Sequence, residues 1–296
     1  MAGSEHGRAG AGPARPEQLA PEQLAPEQVA SAAVALEPAG PKAARPEAAG
    51  PQPVLAVEGL RVDFPLRRGR VAAVRGVSFT LAAGECLAVV GESGSGKSVT
   101  ARALVGLAGA GAVVRADRLD LAGGPGGPQD RIDLRDLPER AWRRVRGRRI
   151  GLVLQDALSA LNPVRTVGAE IAETLRNHRL ATGEALRERV VSLLAGAQVP
   201  EPRVRARQYP HQLSGGLRQR ALIASAMAGE PAVLLADEPT TALDVSVQAQ
   251  ILDLLARQKA EGTAILLISH DLAVVARLAD RIAVMYAGAF VEEGRA

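Results

Sequence analysis

The 296-residue chain is 47% hydrophobic and 23% charged, with a formal net charge of +4, which is enough apolar material for one large or two small packed domains. No run approaches the roughly 18 consecutive apolar residues of a membrane span, and the opening "MAGSEHGRAG" holds no apolar leader, so a chain that stays in the cytosol is expected. The single cysteine, Cys86, excludes an internal disulfide and a cysteine-built metal site, and reads as a small core residue.

Residues 1–52 stand apart, rich in Ala, Pro, Glu and Gly, with "PEQLA PEQLA PEQVA" repeated from Pro16 to Ala30. A proline every fifth residue interrupts any helix, and three copies are too few for a solenoid, so a disordered tail is expected. Four basic residues against six glutamates in the first 50 positions leave +6 on residues 51–296. The folded domain is expected over 53–296.

That domain opens with "VLAVEGLRVDF" and "GRVAAVRGVSFTLAAGE", whose alternation of apolar and polar residues predicts a small antiparallel sheet. Five short, continuous apolar runs come next: "CLAVV" (86–90), "IGLVL" (150–154), "AVLLA" (232–236), "AILLIS" (264–269) and "RIAVMY" (281–286). Runs of this kind are expected of parallel strands covered on both faces. Helix-period segments lie between them, such as "TVGAEIAETL" with Val167, Ile171 and Leu175 on one face, and the alternation predicts an α/β fold. The basic run "RAWRRVRGRR" (140–149) has only Trp142 to stack on a base, so a solvated helix face or a dock for an acidic partner is expected rather than nucleic-acid binding.

The residues just beyond the buried runs carry the chemistry. The first run leads into "GESGSGKS" at 91–98, the second into Gln155, the third into Asp237 and Glu238, and the fourth into His270. Ligands of open α/β sheets bind at the carboxyl ends of the strands, so these groups are expected to converge. "GESGSGKS" matches the phosphate-binding pattern G-x-x-x-x-G-K-[ST], in which backbone amides curl around phosphates, the lysine reaches the β and γ groups, and the hydroxyl meets Mg²⁺. Gly91, Glu92, Ser93, Gly94, Ser95, Gly96, Lys97 and Ser98, with Val99 beside them, are the candidate nucleotide cradle. Lys97 is one of three lysines in a chain where 33 of 36 basic residues are arginine.

Asp237, ending an apolar strand, is expected to hold Mg²⁺, while Glu238 polarises an attacking water that His270 steadies. The expected reaction is therefore hydrolysis of a nucleoside triphosphate. "LSGGLRQR" at 213–220 adds a second helix start, where Ser214, Gly215 and Gly216 offer a hydroxyl, free amides and a positive dipole end. The first cradle already serves its own nucleotide, so the second is expected to complete a nucleotide held by another chain in a head-to-tail pair.

In this order, Gly91–Ser98, Gln155, Leu213–Gln219, Asp237–Glu238, "TALD" (241–244) and His270 resemble the Walker A, Q-loop, signature, Walker B, D-loop and H-loop of ABC-type ATPases, over about residues 54–296. The resemblance implies a P-loop (RecA-like) parallel core with an N-terminal antiparallel β subdomain and an inserted α-helical subdomain, about 157–228, that docks on a membrane partner. It implies that Phe64 stacks on adenine, the alternative being a core phenylalanine of the antiparallel sheet. It implies that Gln155 touches Mg²⁺ and the attacking water, that Gln219 belongs to the second cradle, and that Asp244 joins the dimer contact. The implied ligands are ATP and Mg²⁺.

"QDALSALNPVRTVG", "YPHQLSGGLRQR", "DEPTTALDVSVQAQIL" and "VMYAGAFVEEG" further resemble the ATP-binding subunits of importers for oligopeptides, dipeptides and nickel. Ala157 stands where those subunits usually have proline, and the sequence stops at Ala296 where they usually continue into a segment with a His-Pro-Tyr-type motif. Implied partners are a second ABC ATPase subunit, identical or related, transmembrane permease subunits and, indirectly, a solute-binding protein, at the cytoplasmic face of the membrane. The competing expectation is a soluble ABC ATPase acting on ribosomes or DNA. The lack of a second ATPase domain, a long coiled-coil insertion, zinc ligands or a strong basic face argues against it.

Overall fold

A computed structural model of the chain describes residues 53–123 and 130–296, and the expected disordered tail lies outside the described residues. Strands β1 (Leu55–Pro65) and β2 (Arg70–Leu81) come first, then β3 (Cys86–Val90) and helix α1 (Lys97–Ala103). Short strands β4 (Val113–Arg115), β5 (Arg118–Leu121) and β6 (Ile132–Asp133) precede α2 (Glu139–Val145) and β7 (Ile150–Val153). Five helices then run in succession: α3 (Ala157–Ala160), α4 (Val167–Asn177), α5 (Gly183–Gly196), α6 (Pro202–Arg205) and α7 (Gly215–Met227). The chain then alternates through β8 (Val233–Asp237), α8 (Val245–Ala260), β9 (Ala264–Ile268), α9 (Leu272–Leu278), β10 (Arg281–Tyr286) and β11 (Ala289–Arg295).

The opening alternation becomes an antiparallel sheet of order β2-β1-β5-β6, with β4 also on β1. The five apolar runs become five parallel neighbours, β10-β3-β9-β8-β7, and β11 closes one edge antiparallel to β10. Their residues divide by parity between two cores, as the twofold repeat of a strand demands. Cys86, Ala88, Val90, Leu234, Ala236, Ile265 and Leu267 pack toward α4, α5, α7, α8 and α9. Leu87, Val89, Val233, Leu235, Leu266 and Ile268 face α1, α2 and the antiparallel sheet. Burial on both faces explains why the runs carry no alternation in sequence. Cys86 has no exposed surface, and burial pushes its thiol pKa up to about 12.

Val167, Ile171 and Leu175 are all buried along α4, which Thr166 caps by accepting from Ala169 N. The arginine run behaves differently from a uniformly solvated face. Arg140, Arg143 and Arg144 are exposed, but Arg146 donates through Nε to Val105 O at 2.7 Å, Arg148 bonds Gly229 O, and buried Arg149 bonds Gly123 O and Asp130 O. Past the end of α2 the backbone turns into β7, and these three guanidiniums meet carbonyls that no helix or sheet partner satisfies among the described residues.

Candidate functional site

The sheet order places the four chemistry-bearing loops side by side. Moving across β3, β9, β8 and β7, the carboxyl ends carry residues 91–98, His270, Asp237 with Glu238, and Gln155. Neighbouring parallel strands lie about 4.8 Å apart, so residues distant in sequence meet at one edge.

The loop after β3 needs glycine for two reasons at once. Gly91 has φ 150° and a Cβ there would stand 2.1 Å from Met285 O, while Gly96 has φ 107° and would meet Ala73 O at 2.4 Å. Any side chain would both strain the backbone and push β10 or β2 away. Gly96 opens α1 with no side-chain cap and no acidic residue in the first turn, leaving its amides for an outside acceptor. Lys97 is 6% exposed, and its ammonium donates to Gly91 O at 2.8 Å and Glu92 O at 2.7 Å. That places a buried cation inside the curl of the loop, where phosphate oxygens offer it stronger acceptors than carbonyls do. Glu92, Ser93 and Gly94 line the exposed rim, Ser95 is buried beneath it, and Val99 packs against the core that faces the antiparallel sheet.

Beside it, Ser98 Oγ donates to Asp237 Oδ1 at 2.8 Å. Asp237 is fully buried, its Oδ2 has no partner among the described residues, and burial raises its pKa above the ordinary carboxylate value. A buried carboxylate oxygen without a donor, next to a hydroxyl, fits a divalent cation. Among the described residues no cluster of three metal-ligating side chains exists, so the donors suit Mg²⁺, which takes one or two protein oxygens and draws the rest from water and phosphates.

Glu238 sits at φ 48°, its amide tied to Ile268 O at 2.9 Å. Three groups surround its carboxylate: Gln155 Nε2 and Thr241 Oγ1 each donate to Oε2 at 2.9 Å, and His270 Nδ1 lies 3.2 Å from Oε1. The expected trio of Gln155, Glu238 and His270 is thus brought together. Sequence spacing does not single out Thr241, because nothing in "DEPTTALD" distinguishes its hydroxyl from that of Thr240.

The second helix start lies on α7. Ser214 is its N-cap, accepting from Leu217 N at 3.4 Å, and both Ser214 and Gly215 are exposed. Gly216 is buried, and a Cβ on it would fall 2.5 Å from Val247 Cγ1 of α8. Gln219, further along the helix, is 4% exposed, its Nε2 buried and without a hydrogen-bond partner among the described residues. Asp244 caps α8, accepting from Val247 N at 2.9 Å and Ser246 Oγ at 2.6 Å, bonds that hold its pKa below the usual carboxylate value. Phe64 is half-buried on β1 and packs against the core that faces the antiparallel sheet.

A phosphate loop on β3, a carboxylate pair ending β8 and a polar group from each flanking strand define a P-loop nucleoside triphosphatase of the cassette type. Residues 74–241 match the family model described as ABC transporter. The chain is 46% identical over 244 residues to the dipeptide transport ATP-binding protein DppD of Bacillus subtilis, covering 82% of this chain and 71% of that one. It is 51% identical over 163 residues to the oligopeptide transport ATP-binding protein OppD of the same organism, 55% of this chain and 46% of that one. Among solved structures, the dimeric cassette MJ0796 superposes with a TM-score of 0.69 at 27% identity, over 81% of this chain and 98% of that one. Another structure of that cassette is a dimer in a post-hydrolysis state bound to ADP and phosphate, with the same score and coverage. The chain belongs to the ABC transporter family, and it is an ATPase of that family. No described helix is long and apolar enough to cross a membrane.

Proposed function

We propose that the chain is the energy-coupling subunit of an importer for peptides or a similar small solute such as nickel. The observation that carries the hydrolytic part is the grouping of Gln155, Thr241 and His270 about the Glu238 carboxylate, two strands across the sheet from the phosphate loop. In this reading Lys97 and the amides of residues 91–98 bind the triphosphate, and Ser98 and Asp237 would hold Mg²⁺. That ion, when bound, neutralises phosphate charge as the leaving group departs. Glu238 Oε1 accepts a proton from the attacking water, and His270 keeps that water in line with the γ-phosphorus. Gln155, at the entrance to α3, relays the state of the site to helices 157–228, which dock on permease subunits.

The second cradle of Ser214 and Gly215 serves a nucleotide on another cassette, so ATP closes the pair and hydrolysis reopens it. Phe64 stacks on adenine, and Asp244 lies at the contact between cassettes. The transported class rests on likeness to DppD and OppD, whose names specify dipeptides and oligopeptides. Isolation of the full chain from membranes tests the reading: recovery with two multi-span proteins and a solute-binding protein is expected. Co-sedimentation with ribosomes or DNA instead would overturn it.

A further inference from the structure

The three groups around Glu238, two hydrogen-bond donors and a neighbouring imidazole, are not equivalent. Gln155 is exposed on the approach to α3, and His270 has a side chain 61% exposed, so both are free to turn toward an arriving phosphate and water. Thr241 is different, because it is half-buried and held by the loop it belongs to. Its amide donates to Glu238 O at 3.3 Å while its hydroxyl donates to Glu238 Oε2 at 2.9 Å, so one residue grips both the backbone and the side chain of Glu238. The loop beneath is anchored in turn. Pro239 and Thr240 are buried, Leu243 N donates to Thr240 O at 3.3 Å, and Gln248 Nε2 reaches the same oxygen at 3.3 Å.

Glu238 itself requires such a grip. At φ 48° its backbone is in the left-handed region, which costs a non-glycine residue energy and re-aims its side chain away from the direction of β8. Once Gln155 and His270 leave for the nucleotide, nothing else among the described contacts fixes the carboxylate rotamer. We propose that Thr241 is a positioning residue for hydrolysis: its hydroxyl holds Glu238 Oε2 so that Oε1 is presented to the attacking water. The inference rests on Glu238 being the general base. Thr240, whose side chain makes no hydrogen bond to Glu238, has no such role.

The test compares Thr241→Ala, Thr241→Val and Thr241→Ser in the full chain with its cassette partner, with Glu238→Gln as a control. Steady-state kcat and KM for ATP, affinity for a fluorescent non-hydrolysable ATP analogue, and the thermal midpoint are measured. Loss of one hydrogen bond to a charged group predicts a fall in kcat of about tenfold for Ala and Val, with KM and analogue affinity within about twofold. Serine restores kcat, because it returns the hydroxyl without the methyl. The proposal is overturned if Ala keeps kcat within about twofold of the parent, if serine fails to rescue, or if the loss sits in KM. Should Glu238→Gln itself turn over normally, the assignment of the base falls; a dead Glu238→Gln beside a normal Thr241→Ala sinks only the role of Thr241.

Discussion

Gly216 abuts Val247 of α8 where α7 leaves the second cradle, and the cost of enlarging it can be measured on the nucleotide-free protein. An alanine at 216 puts its Cβ 2.5 Å from Val247 Cγ1, about 1 Å inside ordinary contact, between two helices that are both anchored by caps. Overpacking of this kind costs about 1–3 kcal/mol, against which alanine recovers up to about 1 kcal/mol of helix propensity. Gly216→Ala therefore destabilises by about 1–2 kcal/mol net. Val247→Ala alone, trimming two methyls from a half-buried side chain, costs about 1 kcal/mol. The double variant removes the clash and keeps the propensity gain, so it returns close to the parent rather than to the sum of the two losses. Equilibrium urea unfolding of all four proteins gives the coupling energy directly. Additive losses, near 2–3 kcal/mol in the double variant, would show that Gly216 is not held small by Val247. Gly215 supplies the contrast, since a Cβ there meets nothing closer than Leu243 Cδ2 at 3.6 Å. Gly215→Ala should keep stability or raise it by up to about 1 kcal/mol while weakening turnover, because Gly215 is an exposed residue of the second cradle.

Other expectations concern the first cradle. Lys97→Ala should lose ATP affinity, whereas Glu238→Gln should bind ATP and accumulate as a closed pair, seen by nucleotide binding and by size-exclusion with light scattering. Gly91→Ala combines a disfavoured φ with a 2.1 Å approach to Met285 O, and should lower stability by about 3 kcal/mol or more as well as abolishing nucleotide binding. Burial raises the pKa of Asp237, so the carboxylate takes up its proton at higher pH than an ordinary aspartate. Folding favours the protonated form, and stability from this group is therefore greatest at low pH and declines as pH rises through the folded pKa. Affinity for Mg²⁺–ATP runs the opposite way, failing on acidification while the fold persists. Calorimetric titration across pH beside thermal melts checks both signs, and Asp237→Asn should flatten both curves.

The strands and the phosphate loop were legible because their signals are local. A run such as "CLAVV" is apolar throughout only if both faces are covered, and "GESGSGKS" after such a run has one common physical use. The order of β10, β3, β9, β8 and β7 then brings Gln155, Glu238 and His270 together without further instruction. Features that depend on side-chain reach across distant segments were not legible. That Gln219 is buried, that Gly216 abuts a valine 31 positions later, and that Arg146, Arg148 and Arg149 bond carbonyls instead of water all result from how helices and turns meet. The second hydroxyl of "PTT" is a similar case: Thr241 is distinguished from Thr240 only by the turn that Glu238 imposes.

The central claim is that each catalytic centre is shared, with the phosphate loop of one chain facing the Ser214 turn of another. Mixing two inactive variants tests it most directly. Lys97→Ala disables the loop and leaves the turn, while Ser214→Arg disables the turn and leaves the loop; a mixed head-to-tail pair therefore has one centre with both defects and one with neither. ATP turnover should be near zero for each variant alone and should return on mixing. Turnover by the Ser214→Arg protein alone, equal to the parent at every protein concentration, would contradict the account.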